Sequence, residues 1–143
     1  MNELMQNPAF KAYALSTVVL ALNVFVLGTV TAVQRTKHKA PANPEDAGYV
    51  EQKSEHPKVA RALRAHRNAT ENLVPFFAVG LVYVLTGATA RGAMIYFTVF
   101  TAARVLHSVG YLLEKQPWRT LFFGVGLLAT VGMMVQICMA LAK

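Results

Sequence analysis

Cysteine and acidic residues are scarce in this chain. Its 143 residues include one cysteine and seven Asp and Glu residues, against 14 Lys and Arg residues, and the formal net charge is +7. A single cysteine excludes an intrachain disulfide, and because Cys138 lies in an apolar run we expect a buried thiol that stays protonated. Charged residues make up 15% of the chain and hydrophobic residues 55%, which excludes an ordinary water-soluble domain.

The sequence consists mainly of long apolar runs with few charged residues in them. Ala12 to Val33 contains no charged residue and covers about 33 Å as a helix, enough to cross the hydrocarbon layer of a bilayer. Asn72 to Ala90 and Thr120 to Ala142 are similar, whereas Arg104 and His107 interrupt the run between them. We therefore predict four spans, at about residues 9–34, 60–89, 92–113 and 118–142, in one domain of residues 1–143.

The connections between the last three predicted spans are short, which favours antiparallel neighbours. The sequence thus predicts an all-α fold: an integral membrane four-helix bundle with up-down topology. The first run is too long for the apolar region of a signal peptide and has no basic leader, so we expect it to stay in the protein.

Basic residues concentrate on one side of the predicted bundle. They are Arg35, Lys37, Lys39, Lys53, Lys58, Arg61, Arg64 and Arg67 between the first two spans, and Lys115 and Arg119 between the last two. This excess predicts that both connections face the cytosol, in a bacterial inner membrane or an endoplasmic reticulum. Aromatic residues do not alternate with these cations, so a nucleic-acid partner is not expected.

Polar side chains form stripes on two of the predicted spans. One stripe of about 80° on the second span carries Arg61, Arg64, Asn68 and Glu71, with Arg67 beside it. A second stripe of about 60°, on the third span, carries Arg104, His107 and Tyr111. Both stripes open toward the same cytosolic end, so they predict a polar site there.

Each of these side chains also has a simpler structural explanation. Arg61 could only anchor the helix end by reaching the headgroups. Glu71 could be the i+4 ion-pair partner of Arg67. His107 could be a hydrogen-bonded core histidine. These alternatives stay open from the residues alone.

Arg104 is the hardest of these residues to explain as an anchor. Its backbone lies about 14 Å below the interface, counted back from Leu113, and an unpaired cation there costs about 2.5 to 3.5 kcal/mol. A polar cavity that reaches down from the cytosol would remove this cost. Asn23 is the strongly polar residue of the first span, and we expect it to make an interhelical hydrogen bond.

The set of polar residues suits a ligand with two carboxylates and one ammonium group. Arginine binds carboxylates through a two-pronged fork, and Glu71 could take the ammonium. Glutathione fits this description, although a phospholipid headgroup or phosphate would also bind the arginines.

Several motifs resemble the MAPEG family of membrane proteins in eicosanoid and glutathione metabolism. They are ANPED at 42–46, LRAHRNATEN at 63–72, PF at 75–76, AR at 103–104, HS at 107–108, YL at 111–112 and PWR at 117–119. The resemblance extends from about Asn7 to the last span. It covers two branches of the family, the microsomal glutathione transferases and the microsomal prostaglandin E synthases.

The resemblance implies a homotrimer in the bilayer with glutathione bound between neighbouring subunits near the cytosolic face, and no metal. Its implied glutathione-binding residues are Arg35, Arg64, His66, Arg67, Asn68, Glu71, Arg104, His107 and Tyr111, with Arg104 supporting the floor of the cavity. Arg119 matches the arginine beside the thiol, and a fixed cation there lowers the thiol pKa. The hydroxyl of Thr120 could donate to sulfur, and a hydrophobic second substrate would enter from the lipid.

Three functions follow from the resemblance. The first is a glutathione transferase acting on lipophilic electrophiles, with possible peroxidase activity on lipid hydroperoxides. The second is a glutathione-dependent isomerase of the prostaglandin E synthase type. Phe123 disfavours it because that branch typically has a tyrosine there, whereas Arg67 is closer to that branch, so the choice between the two stays open. The third is a non-catalytic lipid-binding membrane protein, against which Arg119, Glu71 and Tyr111 argue.

Overall fold

The computed structural model describes residues 2–47 and 55–142. Its α-helices are α1 (Asn2–Gln6), α2 (Pro8–Lys37), α3 (Pro57–Leu85), α4 (Ala90–Leu112) and α5 (Trp118–Leu141), and a 3-10 turn covers Pro44–Ala47. No strand occurs within the described ranges. The prediction of an all-α protein with four long helices is confirmed, and the short α1 is an addition to it. Lys53, counted above among the basic residues, lies outside the described ranges.

Local capping signals set where the long helices begin. The side chain of Asn7 accepts a hydrogen bond from the Ala9 amide at 2.8 Å, and Pro8 follows at the first helical position of α2. Thr89 does the same for α4 by accepting from the Gly92 amide at 3.1 Å. The turn before it places Gly87 at a φ of 86°, a conformation that favours glycine.

Helices α2, α3, α4 and α5 are each long and apolar enough to cross a membrane. The protein is therefore a multi-pass integral membrane protein. Helices α3 and α4 lie in the middle of the bundle, where each contacts both α2 and α5. Across the described residues, α2 and α5 do not contact each other.

One end of the bundle gathers most of the charged side chains. This polar end comprises the last turn of α2, the first turns of α3, the last turn of α4 and the first turn of α5. An ion pair of 3.0 Å between Arg61 and Glu114 joins α3 to the residues just after α4. Deeper in the bundle, Asn23 Nδ2 donates to Ser108 Oγ at 3.0 Å, so the predicted interhelical hydrogen bond of Asn23 is confirmed.

Cys138 differs from its prediction. Its side chain is exposed on the surface of α5 and does not pack in the core. The apolar pattern around it identifies a span but does not determine which face of the helix turns inward, because α5 is apolar on all sides.

Two stacked histidines lie where α2 ends and α3 begins. The rings of His38 and His56 are 3.6 Å apart and nearly parallel. The pKa of His38 lies below its usual value because of desolvation against its neighbours and because of the positive charges of His56, Lys58 and Lys37. The folded connection therefore favours the neutral imidazole.

We expect this connection to open as the pH falls. A pKa that is lower in the folded than in the unfolded state means that the unfolded state binds more protons, so the stack is intact above about pH 6.5 and is weakened below it. Hydrogen exchange of residues 38–47, corrected for intrinsic rates, should show less protection at pH 5.5 than at pH 7.5. A His38→Phe variant keeps a stacked ring and should lose the pH dependence. Equal protection of the parent protein at both pH values would contradict this expectation.

Candidate active site

A pocket of about 200 Å³ opens at the polar end between α3, α4 and α5. We refer to it as the polar-end pocket, and its lining residues are Asn68, His107, Tyr111, Arg119, Thr120 and Phe123. Five of these six residues carry a polar side chain. The pocket is thus the place where polar groups from three helices meet.

Arg119 reaches the pocket because the turn before α5 is tightly connected. The Lys115 amide donates to the Gly110 carbonyl at 2.9 Å, and the Arg119 amide donates to the Lys115 carbonyl at 3.2 Å. Gly110 lies directly against this first turn, since a Cβ at position 110 would stand 3.6 Å from the Arg119 amide nitrogen. The backbone therefore fixes the start of the Arg119 side chain.

Aromatic rings hold the other end of that side chain. The guanidinium carbon of Arg119 lies 4.7 Å from the centre of the Tyr111 ring, which is cation–π geometry. The His107 ring packs edge-on against Tyr111 at 5.6 Å. The cation is consequently held over an aromatic face and is half-exposed to the pocket.

His107 is buried, but no hydrogen bond joins its ring to the described residues. A hydrogen-bonded core histidine is therefore not what the structure contains. Its ring lies 6.1 Å from that of Phe123, across the apolar side of the pocket. The imidazole nitrogens stay available to a ligand.

Arg104 lies behind the pocket and does not line it. The residue is 1% exposed, and its Nη2 donates to Asn68 Oδ1 at 2.7 Å and to the Asn68 carbonyl at 3.2 Å. The predicted polar cavity reaching down to Arg104 is wrong in this chain, because Asn68 stands between the two. Its place beneath Asn68 agrees with a supporting role.

Thr120 and Phe123 line the mouth of the pocket with one polar and one apolar side chain. The Thr120 hydroxyl donates to Gln116 Oε1 at 3.1 Å, so its proton is directed along α5. Phe123 is half-buried and contributes an apolar wall. The sequence analysis used Phe123 only to separate two branches of the family and did not count it among the site residues, although its position one turn after Arg119 was a usable signal.

Besides Arg104, five predicted glutathione-binding residues lie outside the pocket of one chain. Arg35 Nη2 bonds Glu55 at 2.9 Å, and Arg35 Nη1 donates to two carbonyls after α2. The His66 ring lies toward α2, within 4 Å of where a Cβ of Gly28 would be. Arg64 is exposed.

The remaining two, Arg67 and Glu71, pair with each other. Arg67 Nε donates to Glu71 Oε1 at 2.7 Å, and the side chains are 82% and 55% exposed. The simpler i+4 explanation therefore describes Glu71 in a single chain. The cause is the rotation of α3: its buried alanines, such as Ala65 and Ala69, pack against α2, which turns the charged stripe outward and leaves Asn68 at its edge.

No cluster of three or more His, Cys, Asp or Glu side chains suited to a metal ion occurs in residues 2–47 and 55–142. The lining side chains of the pocket supply one half-exposed guanidinium, one imidazole without a hydrogen bond to the described residues, one amide and aromatic faces. Such a set binds an anion next to an apolar surface.

Comparison with known proteins agrees with this architecture. Residues 13–139 match the model of the MAPEG family. The chain is 41% identical over 144 residues to microsomal glutathione S-transferase 1 of Rattus norvegicus, covering 93% of this chain and 91% of that protein. It is 36% identical over 143 residues to prostaglandin E synthase of Homo sapiens, covering 97% and 94%. The chain belongs to the MAPEG family.

Proposed function

We propose that the protein is a membrane-bound glutathione transferase that binds glutathione at the polar-end pocket and uses its thiolate against lipophilic electrophiles. The observation that carries this proposal is the guanidinium of Arg119, held over Tyr111 at the edge of a pocket that contains no carboxylate. Relatives named glutathione S-transferase, 41% and 38% identical, support glutathione as the substrate.

The proposed reaction needs no nucleophile from the protein. Arg119 stabilises the thiolate of glutathione, whose proton passes to water before the chemical step. The sulfur then attacks an electrophilic carbon, and the new carbon–sulfur bond forms as the leaving group departs with its electron pair. With a lipid hydroperoxide the sulfur would attack the terminal oxygen, and the O–O bond would break to release the lipid alcohol and leave a sulfenic acid on glutathione. A second glutathione would then displace water from that sulfur and form the disulfide.

The second substrate would come from the bilayer. Phe123 lines the apolar side of the pocket, and Leu121 of the same helix is 52% exposed on the outside of the bundle. An apolar molecule dissolved in lipid can thus approach α5 without crossing water. Apolar electrophiles that are dissolved in the bilayer therefore suit a site at the membrane surface.

One chain does not enclose a tripeptide, which supports the homotrimer as part of the proposal. Ligand pockets generally have about 300 to 1,000 Å³, more than the pocket of about 200 Å³ found here. In addition, the exposed pair of Arg67 and Glu71 lies on a helix that crosses the membrane, where charges normally face protein or a water-filled cavity. A neighbouring subunit would cover this face and let Arg35, Arg64, Arg67 and Glu71 approach the ligand from one side.

Two alternatives have less support. A prostaglandin E synthase-type isomerase is favoured by the 36% identical relative, but the apolar Phe123 in the pocket and the engaged hydroxyl of Thr120 argue against it. A non-catalytic lipid-binding protein could hold a headgroup with the same cation, but the relatives that are 41% and 36% identical are named as enzymes. We also propose that the polar end faces the cytosol, in a bacterial inner membrane or an endoplasmic reticulum, because basic residues concentrate there.

A direct test uses the purified protein in detergent with glutathione and an aromatic halide. We expect formation of the thioether together with ultraviolet absorbance of an enzyme-bound thiolate. S-methylglutathione, which has no ionisable thiol, should bind without producing that absorbance. Turnover of a prostaglandin endoperoxide at a rate far above that of any halide or hydroperoxide would favour the isomerase instead, and absence of glutathione binding would exclude both.

A further inference from the structure

The contact between Arg104 and Asn68 determines which end of the Asn68 amide faces the pocket. A guanidinium carries only hydrogen-bond donors, so the amide atom 2.7 Å from Arg104 Nη2 has to be the oxygen. The Asn68 carbonyl oxygen accepts from the same nitrogen at 3.2 Å, which holds the guanidinium against this turn of α3. The amide orientation therefore follows from the chemistry of its partner.

The nitrogen of the Asn68 amide, Nδ2, is the end that does not bond Arg104. Asn68 lines the polar-end pocket, and its Nδ2 makes no hydrogen bond with the described residues. Two hydrogens of Nδ2 are thus offered to whatever occupies the pocket. A donor pair of this kind suits a carboxylate or a carbonyl oxygen.

Arg104 has little other reason to be where it is. It is the largest of the fully buried side chains, no carboxylate of the described residues pairs with it, and its Nε and Nη1 have no partner. A buried guanidinium without a counter-charge is costly, and residues held at such a cost concentrate at functional sites. The one residue of the described chain that its guanidinium bonds is Asn68.

We propose that Arg104 is a positioning residue: it fixes the Asn68 amide with Oδ1 inward, so that Nδ2 presents a donor to an anionic or carbonyl oxygen of the peptide bound in the pocket. This inference rests on the proposed function, because it takes glutathione as the ligand. In this proposal Arg104 acts through Asn68 and does not itself contact the ligand.

An Asn68→Asp variant separates the two ends of the side chain. The aspartate keeps an acceptor for Arg104 and adds an ion pair, so the variant should be at least as stable to heat as the parent protein. It offers no donor to the pocket, so calorimetry should show about tenfold to hundredfold weaker binding of glutathione. Binding equal to that of the parent would overturn the proposal.

A double-mutant cycle tests whether Arg104 acts through Asn68. Arg104→Met and Asn68→Ala should each weaken glutathione binding about tenfold or more, and the double variant should bind within about threefold of the weaker single variant. Independent losses that multiply would overturn the proposal. Thr130→Val changes a buried residue of α5 whose hydroxyl bonds only its own helix, and it serves as the control with unchanged binding.

Glutathione binding by the parent protein tests the proposed function separately from the positioning role of Arg104. If it binds no glutathione, the proposed function fails and this inference fails with it. If the parent binds but Asn68→Asp also binds fully, the function stands and only the positioning role is lost. Should Arg104→Met not fold, Arg104→Gln takes its place in the double-mutant cycle with the same expected outcome, because a glutamine carries both a donor and an acceptor and no longer fixes which end of the Asn68 amide faces inward.

Discussion

Replacing Arg119 with alanine is expected to raise the pKa of the bound glutathione thiol by about two units, which corresponds to about 2.7 kcal/mol of lost thiolate stabilisation. Turnover at neutral pH should fall about 100-fold, since the reaction uses the thiolate. Binding of glutathione itself should weaken less, because the other polar groups of the pocket remain. A pH titration of the thiolate absorbance of the complex measures the shift directly.

The size of this effect depends on how rigidly the cation is held. The turn before α5 fixes the Arg119 backbone, and the Tyr111 ring lies 4.7 Å from the guanidinium carbon. A cation that is already oriented stabilises an anion without a further ordering cost. Arg119→Lys keeps the charge but loses the planar group that stacks on Tyr111, so an intermediate pKa is expected.

Arg91→Ala provides the matched control for this measurement. Arg91 is an exposed arginine in the first turn of α4, at the opposite end of the bundle from Arg119. Its removal should leave the thiol pKa and the turnover unchanged. If Arg119→Ala gives the same titration curve as Arg91→Ala, Arg119 does not stabilise the thiolate.

Much of the fold could be predicted because membrane-spanning helices leave a strong signal in composition. The helix boundaries differ from the apolar pattern by a few residues. The pattern places the end of the second span near residue 89, whereas α3 ends at Leu85, because Gly87 makes a turn and Thr89 caps the next helix. Gly87 and Thr89 are close to neutral in hydropathy, so they do not interrupt an apolar run, and the signals that end a helix are not seen in it.

The site was less predictable because a periodic pattern gives the relative angles of side chains and not the rotation of the helix. The polar stripe on α3 is real, but Ala65 and Ala69 face inward, so Arg64 and Glu71 face outward. Alanine is small and only weakly hydrophobic, so the alanines of α3 do not show from the sequence which face of the helix turns inward. Only Asn68 of the stripe reaches the pocket of the same chain.

Neighbouring glycines on α5 show the same limit. The sequence predicts close helix contact at Gly124, Gly126 and Gly132. A Cβ would stand 3.3 Å from Arg104 at Gly126 and 2.6 Å from Tyr96 at Gly132, so the prediction is confirmed at both. At Gly124 no atom of another helix among the described residues lies within 4 Å of that position, so the contact is not made within one chain. Which glycines face a neighbouring helix depends on packing that the residue type does not encode.

Phe76→Ala is expected to destabilise the bundle by about 3 kcal/mol. Phe76 is fully buried at the centre of the core, where its ring stacks on Phe100 at 3.9 Å and meets Phe97 edge-on at 5.9 Å. Lipid also solvates an apolar ring in the unfolded state, so most of the loss comes from the cavity and the missing ring contacts. Reversible unfolding in mixed detergent micelles, followed by helical circular dichroism, measures the change.

Phe25→Ala is the matched control, because it removes the same ring from the surface of α2, where Phe25 is 69% exposed. Its free energy of unfolding should stay within about 0.5 kcal/mol of that of the parent protein. Equal effects of the two substitutions would contradict the assignment of Phe76 to the core. A large effect confined to Phe76→Ala would instead locate the stability of the bundle where α3 and α4 meet, the same pair of helices that carries Asn68 and Arg104.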